Sequence, residues 1–162
     1  MRFFSRKKKE KKKRSILRSV ANAVIYFAII GGIVVGLPRF LSWYLDTSFP
    51  MAAITSGSMW PALKTGDLVF IKGVYDKDAI EVGDIIVYSN KENNTLTIHR
   101  VTEKREDTVV TKGDANFTDD APARYEDIIG KTFNIGSKPL RMPYLGSITV
   151  YASNLRTGTQ TN

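Results

Sequence analysis

Eighteen consecutive residues, Val20 to Leu37, carry no charge, and they follow a segment, Met1 to Arg18, that holds ten Lys or Arg and one acid. An α-helix rises 1.5 Å per residue, so about 20 apolar residues cross the ~30 Å hydrocarbon core of a bilayer. The stretch is just long enough. Ser15 to Ser19 extend it on one side, and Phe40, Leu41, Trp43 and Tyr44 on the other, with rings that favour the membrane interface. Basic residues before the span keep the N-terminus in the cytoplasm and send everything after Pro38 to the far side. A buried core helix or a cleaved leader shares this layout. No small-x-small cleavage site follows directly, so the expectation is a retained, single-pass anchor in the cell membrane. The chain then divides into a basic cytoplasmic segment (1–18), a transmembrane anchor with interfacial residues (19–45), an extracytoplasmic domain (46–153) and a disordered tail rich in Thr, Gly, Gln and Asn (154–162).

The net charge of +8 belongs to the first eighteen residues, because the remainder has fourteen basic and fifteen acidic side chains. A run such as Arg6 to Arg14 can serve as a nucleic-acid arm. The apolar span behind it makes membrane lipid the expected neighbour and nucleic acid an unexpected one. The chain has no cysteine, which excludes a cysteine nucleophile and suits a domain that needs no disulfides. One histidine among scattered carboxylates gives no zinc spacing, and no glycine-rich phosphate loop is present. Neither a metal nor a nucleotide cofactor is expected.

Beyond the anchor the pattern is that of short strands. Met51–Thr55, Leu68–Lys72, Asp84–Ser89, Leu96–Val101 and Thr108–Lys112 are separated by Gly, Asn, Asp and Lys turns, with Asn93-Asn94 as a hairpin tip. These spacings predict a mainly β, barrel-like antiparallel domain behind one N-terminal transmembrane helix. Tyr125–Ile129 reads as a helical turn or loop, and Lys131–Ile135 with Gly146–Ala152 as closing strands.

The one histidine, His99, lies between Ser56-Gly57-Ser58-Met59-Trp60-Pro61 and Gly113-Asp114-Ala115-Asn116-Phe117-Thr118-Asp119-Asp120. That order supplies a nucleophile, a base and an orienting acid. Serine is a poor nucleophile until a base takes its proton, and imidazole titrates nearest working pH. A carboxylate on the far ring nitrogen fixes the tautomer and stabilises the imidazolium. Residue order alone also allows a lone histidine satisfied on a strand, because a triad is defined by geometry. Asp114 after Gly113 is equally a turn aspartate, and Ser56 beside Gly57 a turn serine.

Ser56-Gly57-Ser58-Met59 with Pro61, Gly66-Asp67-Leu68-Val69, Gly83-Asp84-Ile85-Ile86-Val87-Tyr88, Ile98-His99-Arg100-Val101 and Thr111-Lys112-Gly113-Asp114 occur in the order seen in the type I signal peptidases. The chain resembles that family over most of its length beyond the anchor, and Pro143-Tyr144-Leu145-Gly146 is similar to its closing segment. Histidine where the common bacterial enzymes carry lysine is similar to the endoplasmic-reticulum-type branch. The resemblance implies a serine endopeptidase with Ser58 as nucleophile, His99 as general base and Asp120 as orienting acid. Asp114 aligns with the branch's other catalytic aspartate, and Ser56 with a hydroxyl that helps bind the oxyanion.

The Ser58 backbone N–H is a further oxyanion donor on general grounds. Only about twenty residues separate Leu37 from Ser58, which keeps the nucleophile near the membrane interface where the signal segment of a preprotein presents itself. Signal peptides, lipid and the secretion translocon are the partners this implies. Met51–Thr55 is suited to pair with an extended peptide. Ala52, Ala53, Ile54, Ile85 and Val87 are candidates for lining the pockets or for building the core. Lys112 competes as a base only if buried, and Arg100 reads first as a solvated or paired cation. A catalytically inactive anchored β-domain that binds exported peptides or assists a sibling peptidase is the alternative.

Overall fold

The computed structural model describes residues 3–90, 95–148 and 151, which fall into two compact units dividing between Leu41 and Ser42. The first is built on helix α1 (Phe3–Tyr44), whose portion Ile16–Tyr44 has a mean hydropathy of 2.3 and no part of its most apolar window covered by protein. Twenty-nine residues make about 43 Å of helix, more than a bilayer core requires. The helix does not stop at Leu37. Pro38 lies inside it, since proline removes one backbone donor while its ring holds φ at a helical value. The end comes where Asp46 adopts a left-handed φ of 50° and Thr47 N–H donates to Ser42 C=O at 3.1 Å, the 6→1 bond of a Schellman cap.

The second unit is an antiparallel sheet. Its strands are β1 (Met51–Ala53), β2 (Leu68–Gly73), β3 (Ile85–Asn90), β4 (Thr95–Lys104), β5 (Thr108–Lys112), β6 (Ala123–Arg124), β7 (Ile128–Thr132), β8 (Asn134–Ile135), β9 (Lys138–Pro139) and β10 (Arg141–Met142). The spatial order is β1-β2-β7-β3-β4-β5-β6, with β10 also on β2 and β8–β9 a separate hairpin. The ladder does not close into a barrel. Two of its joints are fixed by Gly73 and Gly130, where a Cβ would lie 1.8 Å from the Asp46 carbonyl oxygen and 2.3 Å from that of Lys72.

Strand β3 is apolar on both faces and so builds two cores. Ile85 packs with Ile54, Met59, Leu63 and Val69. Ile86 and Tyr88 pack with Ile80, Val101, Val109 and Ile128.

Two expected elements differ. Gly146–Ala152 is not a closing strand, because 145–148 and Tyr151 are helical. Gly146 packs its backbone on Asp67, where a Cβ would be 2.4 Å from the carbonyl oxygen, and Ser147 N–H donates to Gly66 C=O at 3.2 Å, so tertiary contact overrides the alternating pattern. Tyr125–Ile129 is only partly a turn. A 3-10 helix covers Tyr125–Asp127, and Ile128 begins β7, an interior strand that ends at Thr132 rather than Ile135. The expected hairpin tip at Asn93-Asn94 and the tail 154–162 lie outside the described residues.

Candidate active site

Ser58 is held by its neighbours. Beyond β1, Ile54 N–H donates to Asp67 C=O at 2.9 Å and its carbonyl accepts from Gly66 N–H at 2.8 Å, which anchors the start of the loop. Buried Met59 and Leu63 seat the far end, joined by Leu63 N–H to Met59 C=O at 2.9 Å, and Trp60 N–H closes a turn onto Gly57 C=O. Met59 is therefore core, while Trp60 is exposed. A second loop clamps the Ser58 backbone, with Ala115 N–H donating to its carbonyl at 2.8 Å. Gly113 permits that approach, since a Cβ there would lie 2.7 Å from the same oxygen. Gly57 faces open space and has no positive φ.

His99 sits in the middle of β4, opposite Ile86, and is 9% exposed. Its Nε2 is 3.0 Å from Ser58 Oγ, and its Nδ1 is 2.6 Å from Asp120 Oδ2. A carboxylate only accepts, so Nδ1 carries the proton and Nε2 is left to accept from the serine hydroxyl. Ser56 Oγ stands 3.1 Å from Ser58 Oγ. Lys112 is not among the groups bonded to Ser58 Oγ.

Asp114 is elsewhere. Arg100 grips it with Nε at 2.8 Å and Nη2 at 2.7 Å, and donates from Nη1 to Gly83 C=O at 2.8 Å. The carboxylate's hydrogen bonds raise the Arg100 pKa above its ordinary value despite partial burial. Of the two aspartates, Asp120 meets His99, and Asp114 ties the 113–116 turn to β4.

Two further groups escaped the sequence reading. Thr111 Oγ–H donates to Asp120 Oδ2 at 2.6 Å, and Tyr88 O–H reaches the same oxygen at 3.3 Å. Strand alternation is the signal that could have found them. Tyr88 shares a face with Ile86, and Thr111 with Val109, so each hydroxyl points into a core where it must find a partner. Burial raises the Tyr88 phenol above its ordinary pKa, with the Asp120 carboxylate adding to the shift.

Beside Ser58 and His99 runs a groove of about 600 Å³, lined by Ala52, Ala53, Ile54, Val87, Leu96 and Ile98 among others. Ile85 is not in it; that side chain belongs to the core. Strand β1 forms one wall and is the terminal strand of the sheet. Ile54 continues the pairing by turning both backbone groups to Gly66 and Asp67, just before β2, and by alternation Ala53 turns its own toward the open edge. Among the described residues no three His, Cys, Asp or Glu are grouped to hold a metal ion.

Serine, imidazole and carboxylate bonded in series form the arrangement that serine hydrolases use, and among the described residues one helix is long and apolar enough to cross a membrane. Three curated relatives fix the family. The chain is similar to the signal peptidase complex catalytic subunit SEC11 of Fusarium vanettenii, 34% identical over 142 residues that cover 84% of this chain and 83% of the relative. It is also similar, over the same shares, to the sec11 subunit of Sclerotinia sclerotiorum at 33% and to SEC11 of Pyricularia oryzae at 31%. The chain belongs to the family of signal peptidase complex catalytic subunits. No protein-family model matches it.

Proposed function

We propose that this chain is a membrane-anchored serine endopeptidase that removes N-terminal signal peptides from exported preproteins after small residues. The observation that carries the reading is the unbroken path from Ser58 Oγ through His99 to Asp120, opening on the groove along β1. Ser58 attacks the scissile carbonyl as His99 Nε2 takes its proton, and Asp120 steadies the imidazolium. The acyl-enzyme is then resolved by water, with His99 again as base. The Ser58 N–H and the Ser56 hydroxyl serve the developing oxyanion. An extended peptide adds to the free edge of β1, where main-chain bonds supply affinity and the apolar groove selects side chains.

The basic segment before the span keeps the N-terminus cytoplasmic and the sheet domain on the opposite side of the membrane. Lipid and the secretion translocon are its neighbours there. Asp114 acts through the fold: paired with Arg100, it holds the turn whose Ala115 N–H fixes the Ser58 carbonyl.

Cleavage of a purified preprotein bearing an Ala-x-Ala site tests the assignment. Wild type should cut at the signal junction, and Ser58→Ala or His99→Ala should each lose on the order of a thousandfold. Wild-type cleavage that survives both substitutions would sink it.

A further inference from the structure

The geometry points to Tyr88 and Thr111 as positioning residues that act through Asp120, their hydroxyls holding its Oδ2 on the His99 ring. This inference rests on the catalytic reading of Ser58, His99 and Asp120. The three donors to that oxygen come from three adjacent strands, Tyr88 from β3, His99 from β4 and Thr111 from β5. Thr111 grips Asp120 twice, because its carbonyl also accepts the Asp120 N–H at 2.8 Å. The two hydroxyls lie 3.1 Å apart and are buried, Thr111 at 0% and Tyr88 at 3% exposure.

Packing does not require either oxygen. Phenylalanine would fill the place of Tyr88 among Ile80, Ile86 and Val101, and valine that of Thr111. A buried hydroxyl is costly unless bonded, so the pair is explained by what it bonds. Burial keeps the phenol protonated, which preserves it as a donor at working pH. Three donors on one oxygen stop the carboxylate from rotating and spread its charge. Among the described residues, the titratable groups that meet Asp120 are His99 and Tyr88.

The test uses the detergent-solubilised full chain, its Tyr88→Phe and Thr111→Val variants, and the double variant. Because His99 is the only histidine, its Nδ1–H proton gives an unambiguous NMR signal. Each single substitution should lower kcat about fivefold with KM unchanged, as expected for one lost hydrogen bond. A carboxylate with fewer donors keeps more charge against the imidazolium, so the acid limb of the pH–rate profile should move to higher pH. The Nδ1–H signal should move downfield. The double variant should lose less than the product of the two, since the hydroxyls share one acceptor.

Variants that keep the wild-type acid limb and Nδ1–H signal overturn the inference, even if their Tm falls, because that pattern is purely structural. A wild-type chain that cuts nothing while the Nδ1–H signal still moves between variants overturns the catalytic reading instead, and leaves the hydroxyl–carboxylate coupling standing.

Discussion

Arg100 and Asp114 meet in a two-pronged ion pair, Nε to Oδ1 at 2.8 Å and Nη2 to Oδ2 at 2.7 Å, one residue along the strand from His99. Such a pair fixes direction as well as distance, which lysine cannot do. Arg100→Lys and Asp114→Asn should each lower stability by about 1–2 kcal/mol, as a partly buried pair loses its fork. Both should reduce cleavage far less than changes at His99. Thermal unfolding and turnover measured on the same preparations check this; Asp114→Asn as severe as His99→Ala would make Asp114 a direct participant.

Asp120→Asn places an amide against Nδ1. Its N–H₂ favours the tautomer with the proton on Nε2, which then cannot accept from Ser58. Loss on the order of a thousandfold in kcat is expected, with KM and Tm little changed. Steady-state kinetics on a preprotein with an Ala-x-Ala site measure it.

Gly113 stands where a side chain has no room. Gly113→Ala would press a methyl on the Ser58 carbonyl oxygen at 2.7 Å and on Asn116 Nδ2 at 2.8 Å, so the turn must lift from Ser58. A cost of about 2 kcal/mol is expected. Gly57→Ala, which meets nothing within 4 Å, should stay within about 0.5 kcal/mol. Denaturant melts of the two variants give the comparison.

Alkaline pH should find Tyr88. Its folded pKa is raised above the ordinary 10.0, chiefly by burial, so the folded state holds the phenolic proton more tightly than the unfolded chain. The stability tied to that proton is complete below pH 10 and is lost as pH rises through the folded value. Tm should fall above pH 10 in wild type and fall less steeply in Tyr88→Phe.

Much of the candidate site was legible because Ser58, His99 and the two aspartates each lie in a short, distinctive block. Which aspartate faces the imidazole was not legible from the residues. It depends on the pairing of β4 with β5, where Arg100 stands opposite Lys112 and so reaches Asp114 just beyond the strand end. Strand β7 was missed in part, since Gly130 interrupts its apolar run for the sake of a close backbone approach to Lys72. The closing strand expected over Gly146–Ala152 was not legible as helix, because what turns 145–148 is the close packing of Gly146 on Asp67, a tertiary contact. The end of the anchor was legible, since Phe40, Leu41, Trp43 and Tyr44 continue the apolar pattern past Pro38 and the helix runs on to Tyr44.

The order of strands also sets a timetable. Strands β1 and β2 flank the serine loop, and β3 and β4 bring the histidine, yet in the hydrogen-bonded ladder β2 and β3 are joined through β7, residues Ile128–Thr132. A ribosome delivers that strand after Ser58, His99 and Asp120. An emerging chain therefore holds Ser58, His99 and Asp120 before it holds the strand that joins the two halves of the sheet, so the three side chains can meet only once the last interior strand has been made.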